Sequence, residues 1–228
     1  MDFDKKIIIE TDKENWVSTK LPGVERRMLE RENAETGHAT SIVRFAPDSE
    51  FSPHTHEGGE EFFVLDGVFS DESGDYGAGY YVRNPIGSKH RPYSKQGATI
   101  FVKLCQMDMN DQEFVRIDTQ KQEWLPGLVE GLDVMPLHQY GSENIALVRW
   151  QPGTKFQQHI HPAGEEILVI EGVFEDEYGR YPKGTWLRSP PNSTHKPFST
   201  EGTTILVKTG HLVEMAIAPQ RSSTYSRI

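Results

Sequence analysis

The 228-residue chain has one cysteine, Cys105, so no disulfide can form within it and a reducing compartment is expected. It has no run of 18 apolar residues, which argues against a membrane-spanning helix. The N-terminal MDFDKKIIIE has only a short apolar run between charges. It lacks the long apolar core and small-residue cleavage site of an export signal, so a cytoplasmic location is expected. Positive charge is in deficit. Against 34 Asp and Glu stand 24 Lys and Arg, and the net charge of -10 would repel phosphate backbones. Neither a nucleic-acid nor a membrane partner is expected. No sustained 3.6-residue period of apolar residues appears, which disfavours a helical fold. What is abundant is punctuation. The 20 Gly and 14 Pro separate short runs rich in Val, Ile, Phe and Tyr, the pattern of an all-β sandwich or barrel.

The chain also repeats itself. HTHEGGEEFFVLDGVFSDESGDY begins at His54 and HIHPAGEEILVIEGVFEDEYGRY at His159, an offset of 159 − 54 = 105. The register runs ungapped from His54–Lys103 to His159–Lys208, with 25 of 50 positions identical. Upstream, Trp16 matches Trp124 and Leu29 matches Leu137 at an offset of 108. Two tandem domains, 1–115 and 116–228, are expected, joined by the polar segment 108–122. Strands are expected near 40–46, 51–56, 61–69, 80–83 and 98–106, and again one offset later. Hairpin turns are expected at Ser73-Gly74 and Tyr178-Gly179. Residues 5–10, KKIIIE, could pair with a sheet edge in the same barrel, the other barrel or a second subunit.

Side chains two apart on a strand share a face. In His54-Thr55-His56 both imidazoles therefore point one way. The turn at Gly58-Gly59 lets Glu60 fold back towards them, and His90 follows the turn Pro85-Ile86-Gly87. The second repeat offers His159, His161, Glu165 and His195. A single His-x-His is weak evidence of a ligand. Here six of the nine histidines occupy these positions, in two copies of identical spacing. Three imidazoles and a carboxylate aimed into one barrel would otherwise be costly buried polar groups. The expectation is two divalent transition metal ions per chain; zinc, iron, manganese, nickel or copper suits this donor set, and ligand identity alone does not decide among them.

These spacings resemble the two cupin motifs, G(x)5HxH(x)3E(x)6G and G(x)5PxG(x)2H. Gly153, His159, His161, Glu165 and Gly172 fit the first motif throughout. The first repeat fits from His54 to Gly67 but has Asp48 where the leading glycine belongs. The second motif is Gly79, Pro85, Gly87 and His90, then Gly184, Pro190, Asn192 and His195, with Asn192 replacing glycine. The phrase HEGGEEFFVLDGVFSDESGDYGAGYYVRNPIGSKHRPYS resembles the cupin half of the anti-sigma factor ChrR. That resemblance implies a double-stranded β-helix, a cupin or jelly-roll barrel, duplicated in tandem as a bicupin. It implies that His54, His56, Glu60, His90, His159, His161, Glu165 and His195 hold metal, zinc in ChrR. It does not imply sigma-factor inhibition, because ChrR uses a separate helical domain with a His/Cys zinc site and no such pattern is present.

Three functions remain open. One is a regulatory or sensing module in which the metal answers an oxidant or small ligand. Another is an Fe(II)-type dioxygenase acting on a small ketone or diketone, which needs no separate acid or base. The third is a pair of structural metals. Either a monomer or a homodimer suits these, with a small molecule as partner.

Other residues have weaker claims. Phe62, Tyr81, Tyr93 and Phe101, with Ile167, Trp186, Phe198 and Leu206, could line pockets or pack the core. Arg83 and Arg188 could anchor an anion or sit on the surface. Glu61 and Glu166 should point away from the metals. Asp71, Glu72 and Asp75 suggest a solvated hairpin tip, and Cys105 a buried thiol in a strand.

Overall fold

The computed structural model describes residues 1–33 and 37–212; the C-terminal tail, whose fold the sequence leaves open, lies outside them. The regular secondary structure of the described chain is almost entirely strand, as expected, with two short 3-10 turns at Thr11–Lys13 and Thr119–Lys121. Among the described residues no helix is long and apolar enough to cross a membrane. The described chain divides into two compact units, the first containing Glu14–Lys121 and the second containing Asp2–Lys13 and residues 122–212.

In the first unit the strands lie in the order Val115–Asp118, Tyr80–Asn84, Glu60–Asp71, Ala98–Leu104, Ala39–Phe45, Val24–Arg31 and Val17–Ser18, all neighbours antiparallel. The long strand Glu60–Asp71 makes the barrel possible. A register shift opposite Thr99 and Ile100 bends it, and its far half pairs instead with Gly74–Gly77 and Tyr93–Ser94. The bend falls before Gly67, whose φ is +72° and where an added Cβ would lie 2.1 Å from the Gly97 carbonyl oxygen. Gly172 stands in the same relation to Gly202, at 2.0 Å. The motif glycine that ends each His-x-His segment is therefore a close-approach position, where two backbones nearly touch.

The second unit repeats this order with Ile7–Glu10, Thr185–Ser189, Glu165–Asp176, Thr203–Thr209, Glu143–Trp150, Leu132–Tyr140 and Leu125–Pro126. The hairpins expected at Ser73-Gly74 and Tyr178-Gly179 are present, joining Glu60–Asp71 to Gly74–Gly77 and Glu165–Asp176 to Gly179–Pro182. Both departures from the cupin motifs keep the backbone glycine would have given. Asp48 has φ +58° where Gly153 has +83°, and Asn192 has φ +63° where Gly87 has +85°. Asp and Asn tolerate this left-handed region better than other side chains.

Strand alternation sets the core. Phe62, Val64, Val82, Ile100 and Val102 point inward and pack with Phe69, Phe45 and Tyr76. Ile167, Val169, Leu187 and Ile205 do the same in the second unit, with Phe174, Trp150 and Tyr181. Burying each large apolar side chain contributes roughly 1.5–3 kcal/mol, so these clusters dominate the stability of each barrel.

Each repeat begins with a strand that completes the other unit. Ile7–Glu10 pairs with Thr185–Ser189 at the edge of the second unit's sheet. Val115–Asp118 pairs with Tyr80–Asn84 in the first. Of the three partners open to KKIIIE, the structure selects the other barrel.

Candidate metal centres

In the first unit His54–Thr55 and Lys89–His90 form a two-stranded ladder in which His54 lies opposite His90. His56, two residues on, turns back to the same side. The ring centroids lie 4.8 Å (His54–His56), 5.0 Å (His54–His90) and 4.6 Å (His56–His90) apart. Glu60 opens the next strand, with Oε2 3.3 Å from His56 Nε2 and 3.6 Å from His90 Nε2. The second unit reproduces this arrangement. His159 faces His195 across the ladder, and Glu165 lies 3.4 Å from His161 and 3.6 Å from His195. The structure thus brings together all eight residues singled out in the sequence, four in each barrel. Each triplet of histidines could hold a metal ion. Phe51 and Phe69 pack beside the first triplet, and Phe156 and Phe174 beside the second.

The hydrogen bonds around the clusters decide which ring nitrogens are free. His54 Nδ1 lies 2.9 Å from the Ser52 carbonyl oxygen, and His159 Nδ1 lies 3.0 Å from that of Gln157. A carbonyl only accepts, so each Nδ1 carries the proton and each Nε2 presents a lone pair. His90 Nδ1 faces the Asp71 carboxylate at 3.1 Å, with the same result. In the second unit His161 Nε2 lies 3.0 Å and His159 Nε2 3.2 Å from His195 Nε2. Three ring nitrogens this close form a convergent set that a cation could bridge. An ion bonded to imidazole nitrogens at about 2.0–2.1 Å brings its ligand atoms to about this separation. His56 Nε2 and His90 Nε2 are buried and hydrogen-bonded to nothing. The donor set fits a divalent transition metal on each of these counts.

Protonation agrees. Burial lowers the pKa of His56 and His159. Burial and the neighbouring His195 take His161 down to about 3, so this imidazole is neutral, as a ligand must be. Burial also pulls His90 down, but Asp71 and Glu60 outweigh it and hold the ring above its ordinary value. The two glutamates diverge. Burial raises Glu60, but His56, His90 and the Asn84 amide more than offset it and leave the carboxyl below its ordinary value. Burial prevails at Glu165 and pushes it up to about 7.

Several expectations need correction. Asp71 is not part of a solvated hairpin tip. It is buried, bonded to His90, and accepts the Tyr76 hydroxyl at 3.0 Å and the Ser73 amide at 2.8 Å. Asp176 lies behind His195 in the same place, 3.7 Å away. The identity of Asp71 and Tyr76 with Asp176 and Tyr181 across the repeat was the available signal. Asn84 was also missed. It lies directly across the ladder from Glu60 and donates to it at 2.9 Å. Its place on the ligand face follows from strand parity.

Arg83 and Arg188 are neither surface charges nor placed beside the ligands, for both are fully buried on the opposite sheet face. Arg83 bridges Glu61 and Asp111 at 2.6 Å each, and Arg188 donates to the Asp2 carbonyl at 2.8 Å. Glu61 and Glu166 do point away from the histidine clusters. Glu61 meets Arg83 and Tyr81, while Glu166 meets His211 and Trp186. Of the proposed pocket residues, Phe62 and Ile167 join the barrel cores. Tyr81, Phe101, Trp186 and Leu206 lie out of phase with the ligands and face the other way. Cys105 is only half-buried and lies just beyond its strand with φ +58°.

The fold is shared with solved structures of low sequence identity. A candidate dioxygenase from Nostoc punctiforme PCC 73102 superposes with a TM-score of 0.76 at 18% identity, over 97% of this chain and 88% of that one. A candidate glyoxylate-induced protein from Pseudomonas aeruginosa gives 0.73 at 13% identity, over 99% and 94%. The oxalate decarboxylase OxdC of Bacillus subtilis, as a two-residue deletion mutant, gives 0.61 at 15%, over 93% and 81%. Among curated proteins none matches the chain. The model of the ChrR cupin-like domain matches twice, over residues 4–108 and 112–213. The two barrels, each with its convergent histidines, are thus a tandem pair of one domain, and the chain belongs to the ChrR cupin-like family.

Proposed function

We propose that the chain binds one divalent transition metal in each barrel, through His54, His56, Glu60 and His90 and through His159, His161, Glu165 and His195, and uses at least one of them for oxygen-dependent chemistry on a small ketone or diketone. The observation that carries this reading is the convergence of three ring nitrogens in each barrel, with His54, His90 and His159 oriented by acceptors on their Nδ1 atoms. When bound, such an ion supplies Lewis acidity and, if redox-active, a site for O2. The protein's part is to hold three neutral imidazoles and a carboxylate, and to keep the surroundings apolar with Phe51 and Phe69 or Phe156 and Phe174. His54 and His159 are only half-buried, so a small molecule could approach each cluster along that edge. The shared fold with a candidate dioxygenase supports the same direction.

A second reading has its own support. Membership of the ChrR cupin-like family in both halves favours a module in which the metal site answers an oxidant or small ligand. One experiment separates the two. Protein purified without added metal is analysed for metal content, then loaded with Fe(II) and followed for O2 uptake with 1,3-diketones and hydroxyaryl ketones. Uptake dependent on both metal and ketone supports the enzyme. Tightly held zinc without turnover favours the sensing module or a structural pair. Protein that binds no transition metal refutes both.

A further inference from the structure

The two clusters have the same residue types but differ in what holds them in place. In the first unit a single cation braces two of them. Arg116, on the strand Val115–Asp118, donates to Asn84 Oδ1 at 2.5 Å, and Asn84 donates through its amide to Glu60 Oε2 at 2.9 Å. The same guanidinium donates through Nε to the Tyr76 hydroxyl at 3.0 Å. Tyr76 donates to Asp71 Oδ1 at 3.0 Å, and Asp71 Oδ2 accepts from His90 Nδ1 at 3.1 Å. Every bond in both arms has a consistent donor direction. Arg116 is itself held by the backbone carbonyls of Arg83 and Val115 at 2.8 and 2.7 Å. Asn84, Tyr76 and Asp71 are all buried.

The second unit keeps a looser form of the tyrosine arm, with Tyr181 donating to Asp176 Oδ1 at 2.8 Å and Lys6 Nζ donating to the Tyr181 hydroxyl at 3.5 Å, but it lacks the amide arm. Ser189 stands opposite Glu165 where Asn84 stands opposite Glu60. Ile8 takes the ladder position of Arg116, opposite Leu187 as Arg116 is opposite Val82. A cation is still present, but it is bound differently. Lys6 Nζ lies 3.4 Å from Asp176 Oδ2, the oxygen that faces His195 Nδ1 at 3.7 Å. Lysine and histidine thus share one acceptor, and the histidine has the longer contact. Among the described residues no side-chain amide donates to Glu165.

We propose that Arg116 and Asn84 are positioning residues that make the first cluster the tighter and more rigid metal site, leaving the second as the weaker, exchangeable one. The proposal rests on the reading of both clusters as metal centres. Groups that orient the ligands of a metal site typically change its affinity by about 10–100-fold, so the two sites should separate by a factor of that order.

The test is titration of metal-stripped protein with Co(II), read by the visible absorption of the bound ion and by competition with a chromophoric chelator. His54→Ala and His159→Ala assign the two phases. Wild type should show two affinities, the tighter one lost in His54→Ala. Asn84→Ser and Arg116→Met should each weaken the first site by about 10-fold or more and change its absorption band, leaving the second phase as it was. Ser189→Asn should tighten the second site, a gain that misfolding cannot mimic. Equal affinities in wild type overturn the proposal. So does equal weakening of both sites by Asn84→Ser and Arg116→Met, or no effect of Ser189→Asn. Absence of Co(II) binding at either site would instead refute the metal centres themselves.

Discussion

His54 lies directly opposite His90 across an antiparallel ladder, and His159 lies opposite His195 in the same way. Residues some three dozen positions apart in the chain become cross-strand neighbours, with side chains on one face of a two-stranded ribbon. Each ribbon therefore supplies two histidines of its cluster, and the residue two beyond the first of them supplies the third. Removing one histidine should disable one cluster without touching the other. His54→Ala and His159→Ala are each expected to lower the bound metal from two ions per chain to one, and the double variant to none. Metal analysis after extensive dialysis checks this.

The divergence of Glu60 and Glu165 gives a pH dependence. In metal-free protein Glu165 sits near pH 7, whereas an unfolded glutamate titrates near pH 4.5. Its folded pKa is raised, so its contribution is fully present below the unfolded value and is lost as pH rises through 7. Metal-free Glu165→Gln should melt at the same temperature as wild type near pH 4 and several degrees higher at pH 8. Metal binding must expel that proton, so affinity at the second site should fall between pH 8 and pH 6. Glu60 is held below its ordinary value, so its carboxyl gives the first site no such loss in that window. Calorimetry across pH, with and without Zn(II), measures both effects.

The close approach at Gly67 predicts a sharp intolerance. Its φ of +72° and the 2.1 Å separation of an added Cβ from the Gly97 carbonyl oxygen combine steric and torsional cost. Gly67→Ala should destabilise the first unit by about 2 kcal/mol or more, with Gly172→Ala acting likewise on the second. Asn192→Gly supplies the control, because the backbone there already has φ +63°. Its effect should stay within about 1 kcal/mol, as read by denaturant unfolding.

Arg83 is buried between Glu61 and Asp111, at 2.6 Å from each. Truncating a buried partner strands the charges left behind. Arg83→Met should cost about 3–5 kcal/mol, far more than the same change at the exposed Arg44–Glu25 pair, where about 0–1 kcal/mol is expected. Restoring charge balance with Arg83→Met combined with Glu61→Gln should recover part of the loss. A double-mutant cycle in urea quantifies it.

How far the sequence reaches can be judged residue by residue. The convergence of the histidines was legible because spacing survives translation into structure. Alternation on a strand and a glycine turn suffice to aim His54, His56 and Glu60 at one point, and the second copy confirms the pattern. Asp71 and Asn84 were not legible in the same way. Asp71 follows the strand into a hairpin tip, and the sequence does not say that this end folds over His90. Arg83 illustrates the opposite error. An arginine on an edge-like strand reads as solvated until the carboxylates that neutralise it are seen, and Asp111 lies 28 residues away.

The sequence by itself determined the duplicated all-β architecture, the turns, and which residues converge in the two clusters. All of these depend on periodicity, glycine geometry and repetition, which are local properties of the chain. Only the tertiary structure decided which barrel each opening strand completes, which sheet face each aromatic joins, and what braces each glutamate. Those outcomes depend on pairing between segments remote in the chain. Ile7–Glu10 and Val115–Asp118 have backbone groups able to pair with any open sheet edge, and no local preference distinguishes one edge from another.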